Sequence, residues 1–284
     1  MREKSRFISM LLIVIVLPTF LFASGWTQKK GRGFYKIGFR FIRANEFYEP
    51  NGNKISIPTL GDNTLSFYGE HGLTDRITLV AYIPFYKRIT LNRQVGQESG
   101  FVYFEGDAIS GIADADVGFR FGLRQDGSTV LSLGFMFGLP LGDDQQANGL
   151  LTSDGEFNQF VSLQIGHSFY PTPVYFASEA GFNNRSKGYS DEFRYGFELG
   201  YQIKQRLTFI LRATGVQSLK NGNDSVMGGM GGLFANNQSF LAYGPELVYT
   251  MNDKLGISFG VDSAIFAENT LSAAVFSFGL FLKR

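Results

Sequence analysis

Apolar side chains recur at every second position, in segment after segment of about ten residues. Within residues 130–139, large apolar side chains occupy one set of alternate positions, namely Leu131, Leu133, Phe135, Phe137 and Leu139. Successive side chains of a β-strand point to opposite sides, so this segment has one apolar face and one small or polar face. A tilted strand of roughly 9–11 residues spans a bilayer. Repetition of the pattern therefore predicts an all-β fold, a transmembrane antiparallel β-barrel.

About twelve strands are predicted, and the connections between them alternate in length. The predicted strands are residues 33–43, 63–72, 76–87, 112–124, 129–140, 158–170, 173–184, 191–203, 206–217, 239–251, 254–266 and 273–283. Tight turns are predicted at 72–75, 125–127, 171–173, 204–205 and 252–253, and longer loops at 44–62, 88–111, 141–157, 185–190, 218–238 and 267–272. Outer-membrane barrels have short periplasmic turns and longer extracellular loops. An even strand count then places both termini in the periplasm.

A secretory leader is predicted ahead of the barrel. Residues 1–6 carry three basic side chains, an apolar run covers 7–22, and the small residues Ala23, Ser24 and Gly25 follow. This order is typical of a signal peptide with cleavage before Trp26 or at a neighbouring bond. The predicted organisation is a signal peptide at 1–25 and an outer-membrane barrel domain at 26–284.

Composition excludes several classes of function. The chain has no cysteine, which rules out disulfides, zinc–thiolate sites and thiol catalysis. Without residues 1–25, 23 basic residues face 24 acidic ones, a near-neutral balance that gives no support for nucleic-acid binding. No second apolar stretch of about 18 residues is present, so a helical membrane protein is not expected.

The predicted strands carry their charged residues on the face opposite the apolar one. Lys or Arg on a lipid-facing position near the bilayer centre would cost roughly 2–4 kcal/mol. A secreted soluble β-sandwich or barrel, with its apolar face turned inward, is the alternative fold. Its outward positions would carry Lys, Glu and Thr rather than repeated Gly and Ser. Pro84 and Pro245 fall inside predicted strands, so a bulge near each is expected, unless the strands begin or end there.

The predicted lumen carries charges of both signs. The candidate permeation residues are Lys36, Arg40, Glu70, Asp114, Asp116, Arg120, Glu179, Arg194, Glu198, Arg212, Glu246 and Asp262. Charged rings can select permeants in a narrow pore. Acid–base pairs that fill and stiffen the lumen are the other interpretation, since an unpaired charge in a confined site is costly. Asp114 and Asp116 could bind Ca²⁺ or act in acid–base chemistry, but Arg120 is an equally good counter-charge, and no metal site is predicted.

Two of the predicted loops have notable composition. Loop 218–238 is glycine-rich and apolar, and its gate candidates are Met227, Met230, Leu233 and Phe234. It could fold inward as a gate, pack on the loop that contains Phe101, Tyr103 and Phe104, or remain a mobile surface loop. Loop 141–157 is acidic and could hold a divalent ion or bridge to lipopolysaccharide, although a solvated loop is the simpler interpretation.

Catalysis is not predicted. The chain has only two histidines, His71 and His167, and both lie beside predicted tight turns at the periplasmic rim. No Gly-x-Ser-x-Gly nucleophile elbow occurs. Interfacial histidines are the better interpretation, and no catalytic residue or cofactor is expected.

Two segments carry a resemblance to a known family. Residues 68–76 read Tyr-Gly-Glu-His-Gly-Leu-Thr-Asp-Arg, and residues 110–118 read Ser-Gly-Ile-Ala-Asp-Ala-Asp-Val-Gly. The chain resembles the phenol-degradation (meta-pathway) transporter-like family of outer-membrane β-barrels, which more usually shows Gly-Asp where this chain has Ala113-Asp114. The resemblance implies an outer-membrane location and the passage of small molecules, hydrophobic ones included.

The sequence therefore predicts a narrow, cofactor-free channel for passive passage of small solutes or hydrophobic compounds. The alternative is a structural or interaction barrel, with a sealed lumen and extracellular loops that bind a partner or polysaccharide. Outer-membrane lipid and lipopolysaccharide are the expected surroundings, and a monomer is the expected state.

Overall fold

The computed structural model describes residues 25–226 and 228–284. The predicted signal peptide, apart from Gly25, lies outside the described residues, and so does the gate candidate Met227. No helix in the described part of the chain is long and apolar enough to cross a membrane.

Twelve antiparallel strands close into a barrel, as the alternation predicts. The strands along the wall are β1 (Gly33–Tyr48), β2 (Lys54–Gly72), β3 (Ile77–Leu91), β6 (Asp107–Gly111) with β7 (Ala115–Arg124), β8 (Thr129–Leu139), β9 (Asn158–Ser168), β10 (Val174–Arg185), β11 (Glu192–Lys204), β12 (Leu207–Ser218), β13 (Ser239–Thr250), β14 (Leu255–Glu268) and β16 (Ala274–Lys283). Each strand pairs with its neighbours in the chain, and β1 closes the barrel against β16. Three short strands lie beside the wall: β4 (Gln94–Val95), β5 (Val102–Phe104) and β15 (Thr270–Leu271).

The outer surface of the barrel is apolar. On β7, for example, Phe119 and Phe121 are exposed while Arg120 between them is buried. The same alternation continues around the wall, with Phe193 and Phe197 exposed on β11 and Glu198 buried. This arrangement is opposite to that of a soluble barrel and excludes the alternative fold, because the apolar face points outward.

The two ends of the barrel differ. One end carries the tight turns and both ends of the barrel sheet, since the Gly33 amide donates to the Arg284 carbonyl at 3.0 Å. We call this the turn end. The other end carries the long connections and is called the loop end. Several strands reach further at the loop end than predicted: β1 and β2 take up much of the predicted loop 44–62, and β3 continues to Leu91.

Irregularities in the wall explain the differences from the predicted strands. Strand β7 begins at Ala115, three residues after the start of the predicted strand 112–124. Residues 112–114 form an interruption between β7 and β6, which lies in the predicted loop 88–111. Opposite this interruption, β3 has one extra residue near Pro84. The paired positions Leu65–Tyr86 and Phe67–Ile83 are two residues apart in β2 but three residues apart in β3. A proline cannot donate to the sheet ladder, and the expected bulge at Pro84 is confirmed. The bulge reverses the inward and outward positions, so that Lys87 and Ile89 point into the lumen.

The expectation for Pro245 is wrong. Strand β13 runs through Pro245 without a change in residue count, since Tyr243 pairs with Ser263 and Glu246 pairs with Gly260. The ladder between β13 and β14 simply has no partners assigned at positions 244 and 245. The missing N–H is therefore accommodated in a gap of the ladder.

Candidate functional site

A chamber of about 270 Å³ lies inside the barrel. On the lumen face, its apolar and aromatic lining consists of Tyr68, Val80, Tyr82, Met136 and Phe160. Its polar lining consists of Asp116, Arg120, Asn158, Gln164, Glu179 and Arg194. Alternation places all these side chains on the lumen face of their strands. Gly134 also borders the chamber, and the Ser162 and Gln164 side chains lie directly against its backbone.

A buried ion pair forms the side of the chamber nearest the turn end. Nη1 of Arg120 lies 3.0 Å from Oε1 of Glu70, and both side chains are almost completely buried. Tyr68 donates to the same Glu70 oxygen at 2.6 Å, and Nε of Arg120 donates to Gln164 at 2.7 Å. The predicted role of Arg120 as the counter-charge of Asp114 and Asp116 is wrong, because Arg120 pairs with Glu70 of β2, on the far side of the intervening strand β3.

Residues 25–30 do not continue into the wall but lie inside the turn end, and we call them the strap. Ser132 and Gln125 donate to the Gly25 carbonyl at 2.6 and 2.9 Å, and Arg120 donates to the Trp26 carbonyl at 3.0 Å. Three side chains from different parts of the lumen wall therefore hold the backbone of the strap against the chamber.

The strap is also held through its own donors. The Thr27 amide donates to Gln125 at 2.9 Å, and the Gln28 amide donates to Thr78 at 2.8 Å. The Gln28 side chain donates to Oε2 of Glu70 at 2.8 Å. The strap thus completes the hydrogen bonding of the Glu70 carboxylate, and its polar atoms find partners inside the barrel.

Trp26 fixes the position of the strap by packing. A Cβ atom at Gly166 would lie 2.3 Å from Cζ3 of Trp26, so the indole lies directly on the glycine backbone. The Tyr175 ring meets the indole edge-on, with the ring centroids 6.4 Å apart. Any larger residue at position 166 would displace the indole. The strap escaped sequence reasoning because it has no alternation; the chain's single tryptophan, just after the predicted leader, was the available signal.

Part of the lumen is filled by apolar side chains. Strands from opposite sides of the barrel contribute one buried cluster, made of Phe34, Tyr68, Val80, Ile210, Val248 and Phe281. Together with the strap, this cluster narrows the lumen.

A second ionic network joins four strands. Arg212 lies between two buried carboxylates, 3.1 Å from Glu198 and 2.8 Å from Glu246. Lys36 pairs with Glu246 at 3.2 Å, and Tyr175 donates to Glu198 at 2.7 Å. The predicted residues of this group are thus brought together, and each charge has an oppositely charged partner.

Towards the loop end, a third network includes two residues that sequence reasoning missed. Asp62 lies 3.3 Å from Arg40 and 3.5 Å from Lys87. The Phe234 ring covers the Lys87 ammonium, 4.7 Å from its centroid. Asp62 falls in the predicted loop 44–62, and Lys87 is the last residue of the predicted strand 76–87.

The connection between β12 and β13, residues 219–238, folds inward at the loop end. We call it the lid. Its Leu233 is buried in an apolar cluster with Leu60, Ile89, Leu91 and Leu150. The Met230 amide donates to the Gly149 carbonyl at 2.7 Å, which joins the lid to the neighbouring loop. Of the aromatic residues that the lid could meet, Phe104 packs against the cluster, whereas Phe101 and Tyr103 are exposed.

The loop end also has a charged cluster around Arg185. The guanidinium contacts Asp154 at 2.9 Å and Glu192 at 2.8 Å, and it bonds to Glu156. Arg194 pairs with Glu192 at 2.7 Å. Three carboxylates therefore share two guanidinium groups, which leaves one negative charge in excess.

Burial raises the pKa of Glu156 to about 7 and the pKa of Asp154 to about 6, against the opposing effect of Arg185. Their ordinary values are about 4, so the folded protein holds more protons than the unfolded chain between about pH 4 and pH 7. Stability from these groups is complete below pH 4 and is lost as the pH rises through 6 and 7. The thermal unfolding midpoint, followed by circular dichroism in detergent, should therefore be higher at pH 5 than at pH 8.

Glu156→Gln is the matched control for this pH dependence. Glutamine keeps the shape of the side chain but cannot titrate, so the rise between pH 8 and pH 5 should be clearly smaller than in the wild type. An equal rise in both proteins would show that the cluster around Arg185 does not cause it.

Four predicted lumen carboxylates have no ion pair within residues 25–226 and 228–284: Asp114, Asp116, Glu179 and Asp262. Asp114 accepts backbone amides of the neighbouring loop, from Leu141 at 3.1 Å and from Asp154 at 3.3 Å. It therefore orders the loop rather than lining the chamber. No group of three or more His, Asp or Glu residues in the described part of the chain is arranged to hold a metal ion.

The two histidines bond to residues on neighbouring strands. Nδ1 of His71 lies 2.7 Å from the Tyr35 hydroxyl, and Nδ1 of His167 lies 2.7 Å from the Thr129 hydroxyl. These contacts agree with the interpretation of both as interfacial residues near the turn end.

Solved structures share this architecture. The COG4313 outer membrane channel from Pseudomonas putida F1 aligns with 92% of this chain and 98% of its own, at a TM-score of 0.69 and 13% identity. The chain has an outer-membrane β-barrel fold. The NanC porin aligns with 89% of this chain and all of its own (100%), at a TM-score of 0.51 and 10% identity. The translocator domain of the autotransporter NalP from Neisseria meningitidis aligns with 89% of this chain and 88% of its own, at a TM-score of 0.50 and 12% identity.

At these identities the likeness is one of fold. No protein-family model and no curated protein matches the chain.

Proposed function

We propose that this protein is an outer-membrane channel for the passive passage of small solutes. The observation that carries the proposal is the chamber, a polar and aromatic cavity inside a membrane-spanning barrel. The strap borders it on the turn-end side through Arg120, and the lid closes over the loop end. Neither segment is a strand of the wall, so either can move without breaking the barrel. The channel role of the structurally similar P. putida protein supports the same conclusion.

The proposed setting follows from the surface. The apolar belt contacts outer-membrane lipid, the turn end faces the periplasm, and the loop end faces outward, where its charged side chains meet lipopolysaccharide. The barrel is proposed to act as a monomer, since its strands close on one another. Residues 68–76 and 110–118 further support kinship with the phenol-degradation transporter-like family.

The second candidate function is a structural or interaction barrel with a sealed lumen. The specific observation in its favour is that protein segments fill the lumen at both ends. The strap and the Phe34 cluster lie towards the turn end, and the lid and the Leu233 cluster lie at the loop end. In that case the outer loops would bind a partner or a polysaccharide.

Solute flux into liposomes separates the two candidates. Liposomes that contain the refolded protein should swell in isotonic glycine faster than protein-free liposomes, because a narrow lumen admits a small solute. They should not swell in a tetrasaccharide of similar osmolarity, because this solute is larger than the chamber of about 270 Å³. Equal swelling with and without the protein would overturn the channel and favour the sealed barrel.

A further inference from the structure

The chamber has an imbalance of charge. Both cations on its wall are already paired, Arg120 with Glu70 and Arg194 with Glu192. The two carboxylates on the wall, Asp116 and Glu179, have no ion pair among the residues that the structure describes. The lining therefore carries two carboxylates beyond its ion pairs. Arg194 attracts both of them and Arg120 attracts Glu179, but each of these guanidinium groups already has a carboxylate partner.

Asp116 is the carboxylate with the greater capacity to bind. Glu179 accepts hydrogen bonds from Ser162 at 2.6 Å and from Gln164 at 2.7 Å. Asp116, in contrast, receives no hydrogen bond from the described part of the chain, although it lies in the chamber wall. A carboxylate that is removed from bulk water without a partner favours a cationic ligand beside it.

Register places Asp116 between an aromatic residue and a glycine. On one side its partner in the ladder is Tyr82, and on the other side it is Gly138, which has no side chain. Directly opposed residues on one face of a sheet have Cβ atoms about 5 Å apart, so the Tyr82 ring borders the carboxylate. The amide of Asn158 lies over Gly138 and adds a polar group at the same place.

Aromatic rings make up much of the remaining wall. Tyr68, Tyr82 and Phe160 all line the chamber. The faces of such rings attract alkylammonium and guanidinium groups, and the attraction is strongest where water is excluded. Phe160 already lies 5.9 Å from the guanidinium of Arg194, which shows that this wall accommodates a cation.

From these observations we infer that the chamber binds a small organic ammonium ion. The Asp116 carboxylate is its counter-charge, the Tyr82 and Phe160 rings cover its alkyl groups, and Glu179 contributes a second negative charge. A bare metal ion fits less well, since it would need several oxygen ligands around one point. The inference rests on the proposed channel function and names the class of solute that the channel would select.

Equilibrium dialysis of labelled choline against the refolded barrel in detergent tests this inference. Choline should bind, and 3,3-dimethyl-1-butanol, which has the same shape without the charge, should not compete with it. Asp116→Asn should weaken choline binding at least about tenfold, a loss of roughly 1.4 kcal/mol. Tyr82→Leu should weaken binding several-fold, and Tyr82→Phe should leave it nearly unchanged.

Asp262→Asn provides the matched control. Asp262 is another lumen carboxylate without an ion pair among the described residues, but it does not line the chamber. Its variant should bind choline as the wild type does. The inference is overturned if choline does not bind, if the neutral isostere competes equally, or if the two Asp variants lose the same affinity.

Failure of the inference and failure of the channel give different results. If liposomes swell in glycine but the protein does not bind choline, the channel function is supported and the proposed class of solute is contradicted. If the protein binds choline but the liposomes do not swell, the ammonium site is supported and the channel function is contradicted.

Discussion

Replacement of Arg212 by Met is expected to lower the free energy of unfolding by about 3–5 kcal/mol, the effect of breaking a buried ion pair. Arg212 contacts Glu198 and Glu246, and both carboxylates are almost completely buried. Without the guanidinium, Glu198 keeps only the Tyr175 hydroxyl, and Glu246 keeps only the weaker contact with Lys36 among these partners. Two negative charges would then share a site that has one cation. Equilibrium unfolding in denaturant, with the barrel in detergent micelles, measures the loss.

Arg40→Met is the control for this substitution. The Arg40 side chain is 43% exposed, and its partner Asp62 keeps Lys87 at 3.5 Å and the Thr64 hydroxyl at 2.8 Å. Nε of Arg40 is also buried without a hydrogen-bond partner within the described residues. The expected loss is therefore below about 1 kcal/mol, as for an exposed pair. Equal losses for the two arginine variants would contradict the importance assigned to the Arg212 network.

A double variant separates the lost attraction from the uncompensated charge. Arg212→Met combined with Glu198→Gln removes a charge of each sign, so part of the stability lost in the single variant should return. If the double variant is as unstable as the sum of its single changes, the packing of Arg212 rather than its charge supports the barrel.

The barrel itself could be predicted from the sequence because its physical cause is local. Lipid on one side and a small or polar lumen on the other dictate a period of two along each strand. The same alternation placed Lys36, Arg212 and Glu246 in the lumen. Their pairing could not be predicted, since closure of the barrel brings together residues as distant in the chain as Lys36 and Glu246.

Sequence reasoning failed where the period is interrupted. The bulge at Pro84 reverses the faces of β3, and therefore Lys87 was not counted among the lumen residues. The lid composition suggested an inward fold among other arrangements, but its contacts with Leu60 and Leu150 depend on four separate segments. Such contacts have no local signal.

The strap is the clearest example of a feature that the alternation of apolar residues does not predict. Its residues hold no regular secondary structure beyond one bridge at Lys30, and the hydrogen bonds that involve side chains join them to residues 42 to 107 positions further along the chain. What holds the strap is a set of lumen side chains whose role becomes visible only after the barrel closes: Thr78, Arg120, Gln125 and Ser132.

Removal of the strap is expected to raise the single-channel conductance several-fold. The strap lies across the turn end of the lumen, with the Trp26 indole against the Gly166 backbone. Its deletion would leave the wall intact, because the strands begin at Gly33. The Glu70 carboxylate would lose one donor, Gln28, but keep Arg120 and Tyr68. The barrel should therefore fold and show a wider passage.

Replacement of residues 96–101 by a two-residue Asn-Gly turn, which shortens the β4–β5 hairpin, is the control for the deletion. This hairpin forms its own two-stranded sheet beside the wall, and its Phe101 is largely exposed. The conductance of the shortened protein should equal that of the intact one. A rise in this control would mean that any loss of residues loosens the barrel.

Planar-bilayer recordings of the refolded protein, with the strap (residues 25–30) present and then deleted, test the central claim most directly. The intact protein should give small, discrete conductance steps, and the deletion should give steps several-fold larger. Silence of both folded proteins, or steps of the same size in both, would contradict a channel whose passage is narrowed by the strap.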